Sequence, residues 1–166
     1  MYKLSLLFII FFCSISMFSQ LKMDTVYNYR IETNSDNNLI REYFLLSEDG
    51  KKVMIRTINE GQVVSEVYYY NKLKHGIFRS FWEDGKDKEK SSWSEGVQHG
   101  KAFFYYPSGI LKQVTNHKNG ILDGEVKEFY QNGNLKYVGY YVNNVRVGVW
   151  KSYSIEGVII KTKKFE

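Results

Sequence analysis

Cysteine and proline are all but missing: the 166 residues hold one of each, Cys13 and Pro107. A lone thiol inside an apolar stretch excludes a disulfide framework and a cysteine-based metal site. Blocks of like charge are missing as well. The 23 basic and 18 acidic side chains leave a net charge of +5, spread along the chain without five or six neighbours of one sign, so no basic arm for nucleic acid stands out. Apolar runs long enough to cross a membrane as a helix, roughly 20 residues, do not occur.

The one sustained apolar run, from Leu4 to Cys13, follows Met-Tyr-Lys and precedes Ser14, Ser16 and Ser19. A charged start, an apolar middle and a small-residue end are the parts of a secretory signal peptide. Residues 1–19 are read as that segment, with cleavage after Ser19 leaving Gln20 first and Ser16 offering a second cleavage point. Ile10, Phe11 and Phe12 are too large for a lipoprotein peptidase, so no lipid anchor on Cys13 is expected. Loss of residues 1–19 removes Cys13 and Lys3 and leaves a thiol-free chain of net charge +4. The expected location is the periplasm, the cell envelope or the secreted fraction.

Glycine, tyrosine and phenylalanine are abundant, at 13, 14 and 11 copies, and their placement is periodic. Gly76, Gly100, Gly124 and Gly148 recur at a 24-residue step, as do Gly61, Gly85, Gly109, Gly133 and Gly157. Lys72, Gly96, Gly120 and Asn144 keep the same step. So do Leu45, Tyr69, Trp93, His117, Tyr141 and Phe165, and again Phe81, Tyr105, Phe129 and Tyr153. Registers that agree without an insertion define a repeat. Its units are 52–75, 76–99, 100–123, 124–147 and a shortened 148–166. A degenerate copy at 28–51, with Asn37-Asn38 at the phase of Gly61, belongs to an N-terminal segment of strands, 20–51.

Each unit carries two turn signals. Glu60-Gly61, Asp84-Gly85, Ser108-Gly109, Asn132-Gly133 and Glu156-Gly157 are one kind; Glu95-Gly96, Asn119-Gly120 and Asn143-Asn144 are the other. Polar-glycine pairs between apolar runs close hairpins, because glycine accepts the positive φ of a tight turn. The runs between them, such as 101–106 and 137–142, are rich in strand-favouring aromatic and β-branched residues. The expected fold is all-β: an elongated, single-layer antiparallel meander of about five and a half 24-residue units of two strands each. Rings fall at odd and even positions, as at Phe81-Trp82 and Tyr105-Tyr106, so they are expected on both faces and a one-sided core is not. Without a second layer, rings and lysine stems must supply the burial.

The pattern His-Gly, four residues, Phe-Trp-x-Asp-Gly at 75–85 returns as His-Gly, three residues, Phe-Tyr-Tyr-x-Ser-Gly at 99–109 and as Asp-Gly, four residues, Phe-Tyr-x-Asn-Gly at 123–133. This resembles the MORN-repeat variant of bacteria, many of whose proteins are grouped as the YwqK family of toxin–antitoxin antitoxins. The resemblance covers about residues 40–166. It implies a β-hairpin array that contacts proteins or membranes and, through the family's name, an antitoxin-like role.

Catalytic chemistry finds little footing. His75 and His99 share a repeat phase and His117 occupies the aromatic phase, so repeat position accounts for all three. Metal sites need three or four converging ligands, and these histidines stand a repeat apart. Ser80, Ser94 and Ser108 lack a nucleophile elbow, and Asp49, Asp84 and Asp123 sit in or near turns, where aspartate bonds its own backbone. The glycines are periodic rather than gathered in a phosphate loop. No enzyme activity, no cofactor, no metal and no nucleic-acid partner is expected.

The leading expectation is a protein-binding module of the envelope or secreted fraction, with Phe78, Trp82, Tyr106 and Tyr130 as aromatic anchors on one face and a toxin as one partner. The alternative is a glycan or lipid surface, on which the same rings stack while Lys101, Lys127 and Lys151, taken as one register, meet anionic groups. An open sheet edge at Phe165-Glu166 leaves room for a homodimer or strand addition; Lys161, Lys163 and Lys164 oppose casual pairing.

Overall fold

The computed structural model describes residues 28–33 and 39–166; the signal-peptide segment 1–19 and the Asn37-Asn38 pair lie outside the described residues. The described chain is all-β. Its strands are β1 (Asn28–Thr33), β2 (Leu39–Leu45), β3 (Lys52–Asn59), β4 (Gln62–Tyr70), β5 (Leu73–Phe81), β6 (Asp87–Ser94), β7 (Val97–Tyr105), β8 (Leu111–Lys118), β9 (Ile121–Leu122), β10 (Gly124–Phe129), β11 (Leu135–Val142), β12 (Val145–Tyr153) and β13 (Ile159–Phe165). They pair antiparallel in chain order to form one open sheet, with the stub β9 sharing β8 with β10. Each strand touches chiefly its sequence neighbours, the quasi-one-dimensional arrangement of a repeat array.

Turns of two kinds alternate. Asn71-Lys72, Glu95-Gly96, Asn119-Gly120 and Asn143-Asn144 are two-residue turns with both residues at φ between 49° and 85°, the mirror-type turn whose twist matches its strands. In the wide turns, Trp82, Tyr106, Tyr130 and Ser154 each donate their main-chain N–H to the carbonyl four residues on and accept from the glycine three residues on, at 2.7–3.0 Å. Glu60-Gly61 shares the register of Asp84-Gly85 without sharing its geometry: both residues have positive φ, 50° and 78°, and Asn59 pairs directly with Gln62. Asp84 and Asn132 support the wide form by accepting from the N–H of Lys86 and Asn134 at 3.1 and 3.0 Å. In the last wide turn, where Glu156 takes that position, Ser154 Oγ accepts from the N–H of Glu156 and Val158 at 3.3 Å instead.

The glycine and aromatic registers prove to be one feature. Gly76, Gly100, Gly124 and Gly148, at φ between +66° and +120°, lie cross-strand from Trp93, His117, Tyr141 and Phe165. The positive φ at these positions is what glycine accepts, and a Cβ at Gly124 would fall 2.9 Å from the Asn116 side chain.

Burial between β6 and β12 gathers on one face, whereas Met54, buried two positions from Arg56 on β3, keeps to the other. Ser91, Ala102, Thr115, Val126, Gly139 and Trp150 are buried and make a single row across β6 to β12. Small residues in the row let rings of the same face lean over it. Trp93 Nε1 donates to Ser91 Oγ at 3.0 Å. Trp150 meets Tyr141 edge-on at 5.2 Å and Tyr137 at 5.9 Å. A Cβ on Gly139 would lie 2.1 Å from the Trp150 ring. On the opposite face, Glu42, Arg56, Glu66 and Arg79 stand side by side and alternate in sign. Their ion pairs, closed by Asp87, span 2.8–3.8 Å.

Candidate interaction surface

Three of the four expected anchors form a column. Trp82, Tyr106 and Tyr130 each open a wide turn, one repeat apart, and each uses its polar group to tie down the next repeat. Trp82 Nε1 donates to the Tyr105 carbonyl at 3.3 Å, Tyr106 Oη to that of Phe129 at 2.8 Å and Tyr130 Oη to that of Tyr153 at 2.9 Å. A lysine six residues on covers each ring: Lys88 at 4.6 Å, Lys112 at 5.7 Å and Lys136 at 5.8 Å from the centroid. Lys136 is also held by Glu128 at 2.7 Å, which raises its pKa. The column thus joins repeats edge to edge while remaining half-buried.

Phe78 stands apart from these three. It shares its repeat phase with Ala102, Val126 and Trp150 of the buried row, and Lys74 lies 5.5 Å from its ring. Its pairing with Ser91 places it there; a search for aromatic residues groups it with Trp82. Lys127 and Lys151 do share a register, both facing Val138. Lys101 is two positions out of step and faces Asn116, so the three lysines do not make one row.

Repeat position explains the histidines in physical terms. His99 Nδ1 lies 3.4 Å from the main-chain N of Asn119, and Asp123 Oδ2 accepts from Asn143 N at 3.2 Å. His99 before Gly100 and Asp123 before Gly124 therefore each cap the tight turn of the next repeat. His117 lies cross-strand from Gly100 and Leu122 with Nδ1 buried and unpartnered; burial lowers its pKa. A shallow hollow of about 270 Å³ beside Trp82 is lined by Asn59, Glu60, Gln62, Val64, Phe81 and Glu83, and neither His75 nor His99 reaches it. Among the described residues, no three His, Asp or Glu converge as metal ligands. No described helix is long and apolar enough to cross a membrane.

The surface that sequence reading missed is the last hairpin. Val145, Val149, Ile155, Val158, Ile159 and Ile160 are 49–65% exposed. The signal for it lies in departures from the repeat. Ile155 stands where earlier units have Glu83, Pro107 and Gln131. Ile160 stands where they have the ring-covering Lys88, Lys112 and Lys136, and Ser154 replaces the ring itself.

Residues 98–119 and 122–143 match the MORN repeat variant family. No curated protein matches the chain. A solved structure titled "Crystal Structure of TarM" is similar at 11% identity and a TM-score of 0.35, over 57% of this chain and 22% of that one. The chain thus spans under a quarter of that protein's length.

Proposed function

We propose that the protein is a non-catalytic interaction strip of the cell envelope or secreted fraction that binds another protein. The observation that carries this reading is the run of outward apolar side chains in and beside the last hairpin, where seven between Val142 of β11 and Ile160 of β13, spread over both faces, are 46–65% exposed. Clusters of that kind mark interaction sites. Repeats of the matched variant are commonly modules for contact with proteins or membrane lipids. A toxin is the partner class that the YwqK resemblance implies, and the apolar run before Ser19 supports export.

The exposed lysines beside that surface favour one second reading, adhesion to an anionic lipid or glycan surface. Salt separates the two, since a contact made by exposed charges weakens steeply as ionic strength rises. Immobilised full-length protein is exposed to the envelope and secreted fractions of the cells that make it, at low and at high salt. A discrete protein retained at high salt, and lost from an Ile159→Ser, Ile160→Ser variant, is the expected result. Retention of membrane or polysaccharide alone, at low salt alone, overturns the reading in favour of surface adhesion.

A further inference from the structure

The charge of this chain is spread in sequence but not in sum. Residues 28–133 carry 15 basic and 15 acidic side chains and residues 1–27 add one net positive charge. Residues 134–166 carry Lys136, Arg146, Lys151, Lys161, Lys163 and Lys164 against Glu156 and Glu166, a net +4 of the chain's +5. Three of these lysines lie on β13, which pairs with β12 alone among the described residues.

Inside the array, three strand cations meet acids on neighbouring strands. Arg56 of β3 is flanked by Glu42 of β2 and Glu66 of β4; Arg79 of β5 by Glu66 and Asp87 of β6; Lys136 of β11 by Glu128 of β10. Others, such as Lys88 and Lys112, lie over rings. The β12 side offers Lys161, Lys163 and Lys164 only Ser152, Trp150 and Val149, and none of the three makes an ion pair among the described residues. On its other side β13 pairs with no described strand, and acids set there would complement the three lysines.

The same strand departs from its repeat in a directed way. Lys161 replaces Glu89, Gln113 and Tyr137; Lys163 replaces the small Ser91, Thr115 and Gly139; Lys164 replaces Ser92, Asn116 and Tyr140. Ile159 and Ile160, 52% and 65% exposed, add apolar side chains on alternate faces. Antiparallel self-pairing of two copies about Thr162 would set Lys161 opposite Lys163 on both sides, and like charges directly opposite destabilise that register.

We infer that the outer edge of β13 takes up an acidic, extended segment of a partner protein as a further strand of the sheet. The inference rests on the protein-binding reading and names its surface and the chemistry of its partner: main-chain hydrogen bonds give the attachment, and glutamate or aspartate opposite Lys161, Lys163 and Lys164 gives selectivity.

The test uses full-length protein and a fluorescent synthetic peptide in which glutamate alternates with valine and threonine. Three controls accompany it: the lysine-for-glutamate peptide, the acidic peptide N-methylated at two successive central residues so that both of its edges are blocked, and phosphatidylglycerol vesicles. The acidic peptide is expected to bind, and to weaken about tenfold or more with the Lys161→Glu, Lys163→Glu, Lys164→Glu variant. It should hold with the equally charge-reversed Lys90→Glu, Lys101→Glu, Lys118→Glu variant. Equal binding of the N-methylated peptide overturns strand addition. So does equal weakening by both variants, or binding of the vesicles through the same lysines without binding of the peptide. If the peptide fails while the full chain still retains a protein at high salt, the β13 assignment falls and the protein-binding reading stands; if both fail, both fall.

Discussion

The middle of the array and its last hairpin are built from one repeat, yet they differ in what flanks them. Between β6 and β11 every strand but the stub β9 has a neighbour on each side, Ala102 is fully buried, and the Tyr106 and Tyr130 side chains hand a hydrogen bond to the following unit. In the hairpin of β12 and β13 the ring position holds Ser154, whose Oγ accepts only from its own turn at 3.3 Å, and the lysine position holds Ile160. Both halves of the stacking pair change together. Interior units spend their aromatic and charged side chains on each other; the terminal unit leaves its apolar and basic side chains outward. An array of this kind separates cohesion from contact by position along its axis.

The largest effect that would break this contrast is expected at Gly139. Its Cβ would fall 2.1 Å from the Trp150 ring, so Gly139→Ala should cost about 2–4 kcal/mol by overpacking. Urea unfolding monitored by tryptophan fluorescence measures it. Pairing the change with Trp150→Val should recover part of the loss; equal destabilisation with and without Trp150 would show that the ring is not what fills the space.

A smaller loss tests the repeat-to-repeat rungs. Tyr106→Phe and Tyr130→Phe each remove one hydroxyl donor to the next unit and should cost about 1 kcal/mol apiece. The costs should add, since the rungs share no partner. The same denaturant curves report it, and a null result in both variants would mean that ring packing alone joins the units.

The contrast can also be erased from the other side. Ser154→Tyr with Ile160→Lys rebuilds the ring and lysine of an interior unit at the array's end, and a cation–π contact of this exposure contributes about 0.5–1 kcal/mol. A small rise in thermal midpoint is expected, together with weaker retention of any partner held by the apolar hairpin. Unchanged retention would place the contact elsewhere.

Acid provides the mildest perturbation. Burial holds the His117 pKa below its ordinary value, so the folded chain binds that proton less readily than the unfolded chain. The stability linked to this group is complete above about pH 6.5 and declines as pH falls through that value toward the depressed folded pKa. Thermal midpoints should drop on acidification from neutral pH, and less so in His117→Phe, which restores the ring type of Phe165. Equal acid sensitivity in both proteins would assign the effect to carboxylates instead.

Much of this was legible in the residues. The 24-residue step in glycine and aromatic registers gave strands, turn order and the meander, because each glycine answers a local demand for positive φ that no distant contact can alter. The binding surface was less legible. Phe78 reads like Trp82 until pairing shows it opposite Ser91 in the buried row. Glu60-Gly61 reads like Asp84-Gly85 until the pairing of Asn59 with Gln62 closes it as a tight turn. The exposed hairpin was written in Ile155 and Ile160, but as departures from a pattern, which a search for the pattern passes over.

The sequence by itself determined the two-strand unit, its repetition and the places where the backbone turns, since these follow from local φ preferences and from the alternation of strand side chains. Only the tertiary structure decided which face is buried, which aromatics are rungs and which edge is left open. Those properties depend on cross-strand register, and register brings together residues 13 to 24 positions apart, as in Ala102 with Thr115 and Gln113 with Tyr137.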